Sequence, residues 1–203
     1  MIVGSVGVDN SRRNAGDKGG KDVACKQIAL IRGINVGRAK RVAMVDLRTL
    51  VEDLGYDDVR TLLNSGNVIF TAVEQNTVDS AARIEEALST RLGVSARVLV
   101  FTAAELAAIV TDNPLGEVVN DPSRLLVAFL ENPVAVTRLK PLELQDWTPE
   151  VLAIGARVVY IWCPDGILAS RLNVAVVRVL GDAVTTRNWA TVMKLYALTK
   201  NQA

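Results

Sequence analysis

The chain alternates short β-type apolar runs with helical stripes in one order, and that order comes twice. Residues 28–31 form a continuous apolar run of strand length. Met44, Leu47, Leu50, Val51 and Leu54 then recur at helical spacing and stop at Gly55. Two β-rich runs, 59–63 and 68–70, flank Asn64-Ser65-Gly66-Asn67, four turn residues, so the spacing predicts a hairpin. Ala81, Ile84, Leu88 and Leu92 make a second stripe ended by Gly93, and 97–101 is a fourth strand. In the second half, 125–130 reads as a strand and 134–139 as a short helix before Pro141. Strands over 151–154 and 157–162 flank a two-residue turn, Gly155-Ala156. Leu172, Ala175, Val176, Val179 and Leu180 form a stripe stopped by Gly181, and 183–185 is a short last strand.

Two further helices lie outside this order. Thr102 with Glu105 three residues on is a capping box, opening a helix to about Thr111 that Asn113-Pro114 breaks. Trp189, Val192, Met193, Tyr196 and Ala197 share one face of a C-terminal helix, with Thr185 or Thr186 as its cap. The fold expected is α+β: two tandem ferredoxin-like (α-β plait, βαββαβ) units with a connecting helix and an extra C-terminal helix. The boundaries are a flexible N-terminal extension over 1–25, a first unit over 26–101, a connector over 102–122 and a second unit with its helix over 123–199. The extension is Gly-rich without apolar period, and Asp17 and Asp22 dilute Arg12, Arg13, Lys18 and Lys21, which disfavours a nucleic-acid-binding arm.

Composition narrows the chemistry. The net charge is +1, small for a nucleic-acid binder. The chain has no histidine, which removes Ser-His-Asp and Cys-His catalysis and histidine metal sites. Cys25 and Cys163 are far apart without a partner motif and read as free thiols; no metal and no cofactor is expected. No apolar run approaches a bilayer span, and the first ten residues lack the positive region of a signal peptide, so a cytoplasmic protein without membrane contact is expected.

Four segments carry a resemblance: Leu30-Ile31-Arg32-Gly33-Ile34-Asn35-Val36-Gly37; Met44 with Leu47-Arg48; Ser65-Gly66-Asn67-Val68; and Thr186-Arg187-Asn188-Trp189 with Thr191, Val192, Lys194 and Leu195. Over about residues 26–199 the chain resembles the family of domain of unknown function 1697. The resemblance implies a pair of α-β plait domains and no established activity. The chain departs from the family's pattern at Arg38, where a second Gly is usual, at Asn64, where a Gln is common, and at Arg171, where a Lys is usual.

In a plait the end of strand 1 lies beside the start of strand 3. That brings Arg32-Gly33-Ile34-Asn35 against Asn64-Ser65-Gly66-Asn67, near the start of the first helix and its unpaired N–H groups. Arg32, Asn35, Lys40, Arg41, Asn64, Ser65 and Asn67 are the candidate ligand-binding residues, together with Arg187 and Asn188, read as the exposed first turn of the last helix. The second unit has only Glu131-Asn132-Pro133 and Gly155-Ala156 at the equivalent places, an asymmetry that favours a function in the first. Turn chemistry alone also accounts for the glycines and asparagines.

The best reading is a binder of a small anionic ligand or nucleotide. The alternatives are a protein-interaction or assembly module, and RNA or single-stranded nucleic-acid binding on a sheet; Tyr160 and Trp162 are the one aromatic pair for the last. No phosphate-loop motif and no acid/base pair is evident, which leaves no catalytic residue to name and weighs against an enzyme. The oligomeric state is open.

Overall fold

The computed structural model describes residues 24–37, 41–73 and 76–200. Residues 1–23 of the extension expected over 1–25, and the candidate Lys40, lie outside them, while Cys25 already belongs to the first strand. The first half runs β1 (Cys25–Ile31), α1 (Met44–Glu52), β2 (Asp57–Leu62), β3 (Asn67–Ala72), α2 (Thr77–Leu92), β4 (Val98–Thr102) and α3 (Ala103–Thr111). The second runs β5 (Leu125–Leu130), a 3-10 stretch (Pro133–Leu139) leading into the one-turn α4 (Lys140–Glu143), β6 (Val151–Ile154), β7 (Val158–Trp162), α5 (Arg171–Leu180), β8 (Val184–Asn188) and α6 (Trp189–Lys200). The fold is mixed α+β. One four-stranded sheet has the order β2-β3-β1-β4 and the other β6-β7-β5-β8, with every neighbouring pair antiparallel.

Strands alternate their side chains between two faces, and here both faces are buried. Ala29, Ile31, Val68, Phe70 and Val100 join Leu47 and Leu50 of α1 and Ile84 and Leu88 of α2. Ile28, Leu30, Ile69, Leu99 and Phe101 point the other way, into one core with Leu125, Val127, Phe129, Tyr160 and Trp162 of the second sheet. The rings of Phe101 and Phe129 meet there, centroids 5.2 Å apart. Leu126, Ala128, Leu130, Val159 and Ile161 then face Leu172, Val176 and Leu180 of α5. The two sheets therefore share a core, and helices cover their other faces. This is why β1 and β5 read as unbroken apolar runs rather than alternating ones.

The two halves share their register. Ile28 pairs with Phe101 and Ile69 as Val127 pairs with Arg187 and Tyr160. The N–H of Ile31 donates to Gly66 O as that of Leu130 donates to Arg157 O. Likewise Arg32 N donates to Arg97 O, and Glu131 N to Ala183 O. β4 is thus equivalent to β8, and α3 to α6. The connecting and C-terminal helices are one element occurring twice, and they pack against each other.

Three local expectations change. The last strand extends to Asn188, so Arg187 and Asn188 sit in β8 rather than in the first turn of α6. The helix expected over 134–139 is a 3-10 stretch with Pro133 at its start. The tip of the second hairpin is Ala156-Arg157, because Gly155 N donates to Val158 O across the turn at 2.9 Å. Gly155 packs closely: a Cβ there would stand 3.1 Å from Val158 Cγ2 and 3.2 Å from Tyr160 Cε2, so those side chains would have to give by a few tenths of an ångström.

Candidate functional site

The loop leaving β1 turns tightly, with Gly33, Asn35 and Gly37 all at positive φ. Asn35 holds it there. Its Oδ1 accepts from Val42 N at 2.8 Å, and its Nδ2 donates to Val42 O and to Asn64 O, each at 2.9 Å. The loop and the β2–β3 turn therefore meet as the plait argument required. Gly66 sits where they touch, at φ 73°, and a Cβ there would come within 2.9 Å of Ile34 Cδ1 and 3.0 Å of Ile31 O. Asn67 is fully buried; its Nδ2 donates to Leu62 O at 2.9 Å and to Ser65 Oγ at 3.0 Å.

Arg187 arrives from the other half of the molecule. Its Nε donates to Asn67 Oδ1 at 2.5 Å, and its Nη2 to Ile31 O and Ser65 O, both at 2.9 Å, with Gly66 O at 3.4 Å. Nη1 donates to Thr186 O at 2.8 Å. Of the five guanidinium N–H groups, one on Nη1 has no acceptor among the described residues. No carboxylate of the described residues pairs with Arg187, and desolvation lowers its pKa from the ordinary guanidinium value to about 10. The partner that an Arg in an exposed helical turn would demand is thus supplied by carbonyls of the other unit around a partly buried cation. Arg32 spans the same seam in the opposite direction: its Nη2 lies 2.9 Å from Asp182 Oδ1, an almost fully exposed carboxylate.

The three polar segments converge, but not every candidate faces the cleft between them. Asn188 caps α6, its Oδ1 accepting from Thr191 N at 3.0 Å and Thr191 Oγ1 at 2.7 Å; Asn188, not Thr185 or Thr186, is the cap. Asn64 is exposed and contributes its carbonyl to Asn35. Ser65 lines the cleft and gives its carbonyl to Arg187. Arg41 is exposed and is not part of the lining.

The cleft measures about 440 Å³ and runs along the outer edge of β8 between the 32–36 loop and α5. Arg32 and Arg187 supply its charges; Ile34, Val177 and Val184 are among its apolar lining. Thr185, which sequence reasoning missed as a site residue, also lines it; only 2% exposed, its Oγ1 has no hydrogen-bond partner among the described residues. The only available signal was a hydroxyl pair, Thr185-Thr186, directly after the apolar Ala183-Val184. Among the described lining residues there is no carboxylate and no cysteine, so no acid/base pair is present there. No group of three His, Cys, Asp or Glu among the described residues is placed to hold a metal.

The other half carries an equivalent cleft of about 230 Å³, along β4 between α2, Glu131 and the β6–β7 turn. Its charges are Glu85, Arg97, Glu131 and Arg157, two of each sign. Where the first cleft has Arg32, register places Glu131. The aromatic pair Tyr160 and Trp162 lies buried between the sheets, with Tyr160 Oη donating to Ile109 O at 2.7 Å. Both cysteines are unpaired, Cys163 buried, and among the described residues no helix is long and apolar enough to cross a membrane.

Residues 25–160 match the model of a family described as protein of unknown function (DUF1697). No curated protein matches the chain. Among solved structures, the chain is similar to one described as conserved bacterial protein SP0830 from Streptococcus pneumoniae, at 21% identity and a TM-score of 0.74, over 88% of this chain and all of that one. That likeness is one of fold.

Proposed function

The chain belongs to the DUF1697 family, and from that premise we propose that it binds a small anionic molecule in the cleft along β8, between two plait units. The observation that carries this reading is the difference in charge between two equivalent clefts. Among the described residues, one lining holds two arginines and no acid; the other balances two arginines with two glutamates. A demand of the fold would have acted on both. Arg187 is a partly buried cation whose partners among the described residues are all dipoles, an environment in which an added negative charge gains more than it would in water. Arg32 stands beside it, held by an exposed carboxylate that solvent screens.

The nucleic-acid reading has less support, because Tyr160 and Trp162 are both buried and each sheet is covered on both faces. Thermal shift on the full chain tests the proposal, with inorganic phosphate, nucleotides, nucleotide sugars, acyl-CoA, simple carboxylates and a short RNA. A ligand at a hundred times its Kd adds about 2.7 kcal/mol, a rise of several degrees for a chain of this size. The reading expects at least one anion to raise the melting temperature of the wild type and not of Arg32→Ala. No shift with any anion, or equal shifts in the variant, overturns it.

A further inference from the structure

We infer that the ligand of this cleft is a singly charged anion with an aliphatic body, and that Asp182 holds its place on Arg32 until it binds. The inference rests on the anion reading and narrows it. Ile34, Val36, Ile167, Val177 and Val184 line the cleft, and among the described residues no aromatic side chain does. Val36 is 64% exposed and Val177 38%, so apolar surface remains open to solvent at the cleft. A nucleobase would find no ring to stack on, whereas an alkyl chain would cover these side chains.

The charge argument points the same way. Arg187 commits four of its five N–H groups to Asn67, Thr186, Ile31 and Ser65, which leaves one for a ligand. Arg32 can offer a two-toothed fork, and Asp182, held on its Nη2, competes for it. Among the described lining residues the two cations thus offer one fork and one further N–H, matching one carboxylate. The buried hydroxyl of Thr185 is a further unfilled hydrogen-bonding position in the lining. Asp182 is 96% exposed, so a ligand anion displaces it at small cost.

Calorimetric titration of the full chain with butanoate, hexanoate and octanoate tests this, with octanol, inorganic phosphate and AMP alongside. Affinity is expected to rise by about fourfold per methylene until the chain outgrows the cleft. Octanoate is expected to lose at least about tenfold in Arg32→Ala and to gain up to about fivefold in Asp182→Asn, a surface change that leaves the core intact. Octanol binding as well as octanoate, or Asp182→Asn weakening octanoate, overturns the inference. Phosphate or AMP binding as tightly as octanoate overturns the aliphatic class while the anion reading stands. No binding by any anion overturns both.

Discussion

Arg187 holds in β8 the position that Phe101 holds in β4: Arg187 lies opposite Val127, and Phe101 opposite the equivalent Ile28. Each faces the hairpin of the other half. Around Phe101 the cation comes from the hairpin, where Arg157 stacks 4.5 Å from the ring and pairs with Glu105. Around Arg187 the cation belongs to the strand, and the hairpin supplies Ser65 O, Gly66 O and Asn67 Oδ1. The same contact is built twice, once with a neutralised charge and once without.

Removing Arg187 should therefore unseat the halves. Arg187→Met leaves Asn67 Oδ1 and the carbonyls of Ile31 and Ser65 without their donor, at an expected cost of about 2–4 kcal/mol. Arg187→Lys should recover little, since an ammonium cannot reproduce the planar fork. Urea unfolding measures both, and a double-mutant cycle with Asn67→Ala should be strongly non-additive because the two side chains share one bond.

Gly66 is constrained twice, by φ 73° and by its approach to Ile31 and Ile34. Gly66→Ala is expected to cost at least about 2 kcal/mol. Gly33, also at positive φ but with open space around it, should cost less when changed in the same way. Paired thermal melts of the two variants decide this.

Burial, reinforced by Asp112, raises the Tyr160 phenol to about 12. The unfolded chain would ionise it near 10, so the stability this group contributes is fully present below pH 10 and is lost as pH rises through about 12. Arg187, whose folded pKa is lowered to about 10, works in the opposite sense above that value. Tyr160→Phe should flatten the alkaline loss, and Arg187→Met should steepen it. Denaturant midpoints recorded from pH 8 to 11.5 show whether they do.

Glu105 serves two structures at once: its Oε2 accepts from Thr102 N at 2.8 Å to close the capping box, and its carboxylate pairs with Arg157 of the other half. Glu105→Ala is expected to cost about 1–3 kcal/mol. Glu105→Gln, which can keep the capping box but not the charge, should cost less. Equilibrium unfolding of the two variants separates cap from ion pair.

The local layers of this structure were legible because their signals are local. The stripes of α1, α2 and α5, the turn at 64–67 and the Thr102–Glu105 cap all lie within a few residues of their cause. The meeting of Asn35 with Asn64 followed from one topological rule. β8 was harder to read: Val184–Asn188 is mostly polar, so its strand character shows only through its pairing with β5. The burial of Arg187 depends on atoms 120 or more positions away, and no window of sequence carries that. The short helix expected over 134–139 is a 3-10 helix, and Pro141 has no N–H to donate to an α-helical ladder running through it.

The central claim is that two clefts equivalent in register differ in function because one has unbalanced charge. Proton–nitrogen NMR of the arginine Nε–H groups compares them in one sample during titration with octanoate. The account expects the Arg32 and Arg187 signals to move together and saturate, while Arg97 and Arg157 stay still. Equal movement in both sets, or movement confined to Arg97 and Arg157, contradicts it.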